Sequence, residues 1–433
     1  MERIVITGGR PLAGAVRVSG AKNSSLPIIA AACLAADVSV LDNVPHCQDV
    51  LTLRAILEDL GARFEFEGVR LTIDARGLYR TVPDYDLCRK MRASFYTAGV
   101  LLARMGRAEV PLPGGCSIGT RPVDFHMKGF AALGAEVGTE HGYMKAAFPR
   151  RTRGARGAAF YVPRSSVGTT INMMLAASTG RYTTTLTNAA REPEVVDTAV
   201  FLNLMGARVR GAGTDTMTIR GVPALHGAQY TIIPDRIEAG TYLLCGVATG
   251  GDVLAEGLIP EHFQALLGKV TEAGAETVVE PDGVRVRVTR ELAAVDVDTA
   301  PYPGFATDLH PPLAAALSRA RGVSSIRETV HDSRFAYVDE LRRMGAEMKV
   351  EGETVRITGV DHLSGAPVEA LDIRAGAAVV IAALAAAGTT EIRTVENLDR
   401  GYEGLTAKLT SLGAAIERVD DEAAPAALTT AAG

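Results

Sequence analysis

An apolar residue followed by Gly-Ala recurs six times along the chain, at Leu60-Gly61-Ala62, Leu133-Gly134-Ala135, Met205-Gly206-Ala207, Ala273-Gly274-Ala275, Met344-Gly345-Ala346 and Leu412-Gly413-Ala414. The spacing is roughly 70 residues throughout, which marks an internal repeat. Each copy closes an amphipathic stretch such as Val338 to Met344 and opens an alternating run such as Glu347 to Val360. That pattern is a helix stopped by glycine and followed by a hairpin. Upstream in every copy lies a second, alanine-rich apolar stretch, beginning near Ser24, Met91, Ser166, Asp235, Ala306 and Asp372. Helices apolar on all sides are buried. Each copy therefore reads strand, buried helix, strand, outer helix, hairpin. Units of this size exceed most solenoid repeats, so three and three in two domains is the expected arrangement.

Composition agrees. A chain of 433 residues with 47% hydrophobic content is too long for one core, since single cores stop growing at about 250–300 residues. Fifty acidic against 45 basic side chains leave a net charge of -5, so no polyanion surface is expected and nucleic acid is not a partner. Met1 to Gly9 alternates like a strand rather than a leader, and the longest low-polarity run, Ala375 to Gly388, is shorter than the roughly 20 residues a bilayer needs. The reading is a soluble, cytoplasmic protein with no membrane contact. Five cysteines, at 33, 47, 88, 116 and 245, form no CxxC pair and have no histidine at ligand spacing, so neither disulfides nor a metal site is expected. Neither a P-loop nor a dinucleotide fingerprint occurs, so no bound cofactor is expected.

Charged residues fall in register with the repeat. Lys22, Arg92, Arg236, Asp308 and Arg374 stand where buried helices begin, and the third copy begins with Ser166-Val167-Gly168. Arg121, Arg191, Arg334 and Arg400 stand where outer helices begin. A cation there opposes the helix dipole, and its repetition points to anions held by backbone N–H groups and arginine forks together. One cysteine is singled out. Cys116 sits in Leu112 to Asp124, LPGGCSIGTRPVD, where two glycines and a proline make a turn that presents the thiol, five residues before Arg121.

These blocks, with VSGAKNSSLP from Val18, SSVGTTINMMLAA, REPEVVDTAVFLNLMGA, IIPDRIEAGTY, PYPGFATD, DIRAGAA and LDRGYEGL, resemble the UDP-N-acetylglucosamine 1-carboxyvinyltransferase family of enolpyruvyl transferases. The likeness runs in order over residues 1 to 419. It implies an α/β fold of two inside-out prisms, each of three βαβαββ units with helices inside and sheets outside. Residues 22–232 would form the N-terminal domain with the cysteine loop. Residues 1–21 and 233–419 would form the C-terminal domain, and 420–433 a disordered tail. The crossings near Ser19 to Ala21 and Ile232 would be the hinge.

The resemblance further implies transfer of the enolpyruvyl group of phosphoenolpyruvate to the 3-hydroxyl of UDP-N-acetylglucosamine, with release of phosphate. By matching positions it assigns Cys116 as proton donor and as the thiol that epoxides such as fosfomycin alkylate, and Asp308 as base. Lys22, Arg121 and Arg400 would clamp phosphate, with Asn23, Arg92 and Arg374 also at phosphoenolpyruvate. Arg121, Pro122, Val123, Asp124, Ser166, Val167, Gly168, Asp308, Val330 and Arg334 would bind the nucleotide. Partners are then small molecules alone, in a monomer or weak homo-oligomer. Several positions depart from the family pattern: Ala306, His310, His331, Asp332, Ser333, Leu371, Asn397 and Leu398. They cluster beside the base and the sugar-facing segment, which leaves open a paralogue acting on another uridine nucleotide such as UMP. A non-catalytic nucleotide-binding homologue is a further alternative.

Overall fold

In a computed structural model that describes residues 2–113, 123–149 and 154–420, the six signature glycines all adopt positive φ, from 89° to 110°. Only glycine enters this region without a steric penalty, which is why the helix stops are so uniform in sequence. The hairpin behind each stop belongs to a small sheet of recurring order. In the fifth copy, Asp296–Asp298 lies parallel to Val323–Arg327, which pairs with Thr354–Thr358 and then Glu347–Glu351, both antiparallel. The helix His310–Leu317 connects the two parallel strands, giving βαβαββ.

Five of the six sheets keep this order, three of them through small exchanges of chain, and these exchanges tie the molecule together. Ala13–Arg17 supplies the parallel edge strand of the fourth copy, beside Asp252–Glu256, while Gln229–Thr231 supplies that of the first copy, beside Val38–Asp42. Glu2–Thr7 inserts between Thr389–Arg393 and Ala415–Asp420 and completes the sixth. The last strand thus reaches Asp420, and the rest of the expected tail, 421–433, lies outside the described residues. The second copy departs from the pattern, with three strands among the described residues. In place of its first strand, Pro83 removes a ladder donor and the Asp84 side chain caps a short helix, Tyr85–Arg89.

Two apolar cores result. One gathers residues from Ala21 to Ile232, the other Ile4 to Val18 together with Ile237 to Ala414. Within the second, helices Arg236–Thr249, His310–Leu317 and Ile373–Ala385 pack on one another, buried along nearly their whole length. Helices Lys22–Ala32, Tyr96–Met105 and Val167–Ala177 lie in the first. Where the chain crosses between cores, the two connections run antiparallel at Gly20 and Pro234. Ala21 N donates to Ile233 O at 2.7 Å and Asp235 N to Ser19 O at 2.9 Å. Asp235 then caps a helix on each side: Oδ1 accepts from Ile237 and Glu238 N–H, and Oδ2 from Lys22 N–H at 3.1 Å. The starts of the two helices are therefore fixed against each other at the crossing.

Two glycines separate backbone strain from packing. A Cβ on Gly345 meets nothing within 4 Å, so Gly345→Ala should cost only the left-handed penalty, about 1–2 kcal/mol. A Cβ on Gly99 would lie 2.6 Å from Asn172 Oδ1 in the core, so Gly99→Ala should cost about 3 kcal/mol. Urea unfolding of both variants measures the difference, and equal losses would contradict this packing.

Candidate active site

The faces carrying these helix starts enclose a cleft of about 780 Å3 lined from both sides of the crossing. Lys22, Asn23, Arg92, Val123, Ser166, Val167 and Gly168 come from one side, and Asp308, Val330, Arg334, Arg374 and Arg400 from the other. Most of the residues expected at a site are thus brought together. Cys116, Arg121 and Pro122 lie outside the described residues. Asp124, expected at the nucleotide, is not among the lining side chains; it begins helix Asp124–Ala132 and reaches Lys128 Nζ at 3.4 Å. Arg191 is exposed and away from the cleft although it shares the repeat register.

Five of the cations that reach the cleft, Lys22, Arg236, Arg334, Arg374 and Arg400, are paired with carboxylates. Asp308, at the start of the short turn Thr307–Leu309, receives Arg374 on one oxygen (Nε 3.2 Å, Nη2 2.9 Å) and Arg334 on the other (Nη2 2.7 Å). Burial opposes its charged form, yet Arg374 and then Arg334, with His331 and Lys22 behind them, hold its carboxyl well below the usual range. Arg374 is steadied by Tyr402 OH at 3.2 Å, which contacts Thr241 Oγ1 at 3.0 Å. Asp49 bridges the crossing in the same way: Oδ2 faces Lys22 Nζ at 3.2 Å and Oδ1 faces Arg400 Nε at 3.0 Å. A third pair, Arg236 with Glu194 at 3.4 Å, also spans the two sides, and Arg236 lies over the Tyr302 ring.

Asp49, Glu194, Tyr402 and Arg236's partners were not expected from sequence, because a carboxylate 27 or 351 positions from its cation leaves no local signal. Arg164 and Ser165 were missed as well. Both line the cleft with positive φ, 52° and 47°, and Ser165 Oγ is anchored on Asn188 O and Ala189 O. Two consecutive non-glycine residues held there mark strain spent on aiming the wall. Ser166 caps helix Val167–Ala177, so the free amides of its first turn face the cavity. Opposite, His126 is buried and kept neutral, its pKa pushed down to about 3 by burial and by Arg92, with Nδ1 against Asn172 at 3.0 Å.

Chemically this is an anion site with a carboxylate inside it. The cysteines of the described residues are not part of it: Cys33, Cys47, Cys88 and Cys245 are buried, and burial pushes their thiols up. Among the described residues no group of His, Cys, Asp or Glu is placed to hold a metal ion, and no helix is long and apolar enough to cross a membrane.

The profile of the EPSP synthase (3-phosphoshikimate 1-carboxyvinyltransferase) family matches residues 6–409. The chain belongs to this family of carboxyvinyltransferases. Within it, UDP-N-acetylglucosamine 1-carboxyvinyltransferase 2 of Symbiobacterium thermophilum is 52% identical, over 96% of this chain and 98% of that one. UDP-N-acetylglucosamine 1-carboxyvinyltransferase 3 of Caldanaerobacter subterraneus subsp. tengcongensis is 48% identical, over 97% and 100%. Among solved structures, the enolpyruvyl transferase NikO from Streptomyces tendae superposes with a TM-score of 0.86 at 27% identity, covering 96% of this chain and 98% of that one. EPSP synthase from Acinetobacter baumannii gives 0.74 at 19%, over 97% and 100%, a likeness of fold alone. The carboxyvinyltransferase family and the inside-out α/β fold expected from the motifs are thus both found.

Asp49 offers a test of the cation cluster in this carboxyvinyltransferase. Asp49→Ala strands Lys22, 6% exposed, and Arg400 without their shared carboxylate, which should cost about 3–5 kcal/mol of stability. Millimolar phosphate should then raise Tm more in the variant than in the parent, because the anion replaces the lost charge. Thermal unfolding with and without phosphate reads both effects, and an identical phosphate response would contradict the pairing.

Proposed function

We propose that the chain transfers the enolpyruvyl group of phosphoenolpyruvate to the 3-hydroxyl of UDP-N-acetylglucosamine and releases inorganic phosphate. The observation that carries this reading is the meeting in one cleft of Arg334 and Arg374 on the Asp308 carboxylate with Lys22 and Arg400 on Asp49. The acceptor is taken from the relatives of 48–52% identity, whose names state it.

In this reading the acceptor oxygen adds to C2 of phosphoenolpyruvate while C3 gains a proton, and C3 then loses a proton as phosphate leaves C2. Lys22 and Arg400 grip the phosphate, and Arg374 with Arg92 meets the carboxylate, so that charge is balanced by groups already fixed in place. Asn23 touches substrate and intermediate. Asp308 takes the proton of the hydroxyl. Since both its oxygens accept from arginines, the incoming carboxylate first draws Arg374 away and thereby raises the basicity of Asp308. Cys116 and Arg121 act at C3 and at the phosphate. Arg121, Pro122 and Val123, with Ser166, Val167 and Gly168 at a helix start, hold the uridine diphosphate, and Val330 and Arg334 the sugar side.

A second reading draws on the departures from the family pattern, since Ala306, His331, Asp332, Leu371 and Asn397 all line the cleft. It gives the acceptor as UMP.

Phosphate release with phosphoenolpyruvate and each nucleotide separates the two. Turnover is expected with UDP-N-acetylglucosamine, and turnover of UMP alone would overturn that assignment. Lys22→Ala and Asp308→Asn should each lower kcat roughly 10²–10³-fold. Wild-type rates in either variant would remove that residue from the mechanism.

A further inference from the structure

Behind the turn that carries Asp308 lies a buried polar chain that none of the roles above uses. Glu328, 2% exposed, accepts five hydrogen bonds. Oε1 takes Thr299 Oγ1 at 2.8 Å and the N–H groups of Val330 at 2.9 Å and His331 at 3.0 Å. Oε2 takes Thr307 Oγ1 and His310 Nδ1, each at 2.9 Å. His310 is wholly buried and its Nε2 faces Tyr337 OH at 2.8 Å. Thr307 Oγ1, having donated its proton to Glu328, accepts from Arg334 Nη1 at 2.9 Å. Arg334 in turn reaches Asp308 Oδ1 at 2.7 Å.

The donors fix the protonation along this chain. All five partners of Glu328 donate, so it is an anion; burial pushes its pKa up, but the His310 hydrogen bond and the fixed amide and hydroxyl donors bring it to about 2. Burial holds His310 neutral, although Glu328 pulls the other way. The ring then carries its proton on Nδ1 and accepts from Tyr337 at Nε2. A glutamine amide also offers one donor and one acceptor end, so it can fill the same place.

We propose that Glu328 is a positioning residue for Asp308. Through Thr307 it holds Arg334 in line with the carboxylate, and through the amides of Val330 and His331 it fixes the wall facing that carboxylate. His310 and Tyr337 fix Glu328. The proposal rests on Asp308 acting as the base. Arg334 is 4% exposed and its Nε has no partner among the described residues, so its place depends on the contacts at its two Nη atoms. The charged groups facing Asp308 are Lys22, Arg236, His331, Arg334 and Arg374. Loosening Arg334 removes one of the cations that depress its pKa, so the acid limb of kcat/KM should move to higher pH.

Thr307 lines the cleft, whereas Glu328 and His310 do not, which makes the latter pair the ones to alter. Glu328→Gln puts an NH2 against donors in either orientation. It should lower kcat/KM by roughly 10²-fold through misplacement of the base and move the acid limb upward by about one pH unit. His310→Leu should behave alike, while His310→Gln should recover to within about threefold of wild type. Loss of rate with the limb unmoved, or His310→Gln as damaging as His310→Leu, would overturn the proposal. A crystal structure of Glu328→Gln, or of His310→Leu if that variant does not fold, gives a readout without turnover. Arg334 should have left Asp308 Oδ1, and an intact contact would overturn positioning. Absence of wild-type turnover with UDP-N-acetylglucosamine would instead count against the proposed function, and the crystal readout would still decide positioning.

Discussion

Two carboxylates hold this structure's business end in order. Asp308 sits between Arg334 and Arg374, and Asp49 between Lys22 and Arg400. Lys22, Arg334 and Arg374 are each no more than 6% exposed, and a cation so placed is unstable without a partner. The paired state therefore supplies what an anionic substrate later supplies. Exchange of carboxylate for substrate costs little because the charges are already desolvated and aimed, which is the physical meaning of preorganisation at such a site. Asp49 adds a second property. Its two partners lie on opposite sides of the chain crossing, so the pair couples the relation of the two cores to what occupies the cleft.

The fold makes this possible by placing the starts of helices from both cores at one seam. Exchange of the edge strands Ala13–Arg17 and Gln229–Thr231 commits each core to a strand delivered through the crossing. Asp235 caps one helix on each side, so Lys22 and Arg236 begin their helices from a common point. Cations at those positions oppose the helix dipole, and each is answered by a side chain from elsewhere: Asp49 for Lys22, Glu194 for Arg236, Asp308 for Arg374.

Much of this was legible in the sequence, for reasons that are local. A glycine at a left-handed helix stop and an alanine-rich helix apolar on every face leave their mark residue by residue, so the sixfold unit could be read before any contact was known. The register of Lys22, Asp308, Arg374 and Arg400 carried through to the cleft for the same reason. Repeat register alone failed at Arg191, which faces solvent, and at the second copy, where Pro83 and the Asp84 cap replace a strand. Partners were invisible: nothing near Asp308 in sequence announces Arg374, and nothing near His310 announces Glu328 or Tyr337. Cys116 and Arg121, in the plainest motif of the chain, lie outside the described residues.

The central claim is that substrate anions take over cations now held by carboxylates. A crystal structure with phosphoenolpyruvate and UDP-N-acetylglucosamine bound tests it most directly. The account predicts phosphate density against Lys22 and Arg400, with Arg374 turned from Asp308 to the substrate carboxylate. Ligands bound elsewhere, with both arginines still on Asp308, would contradict it.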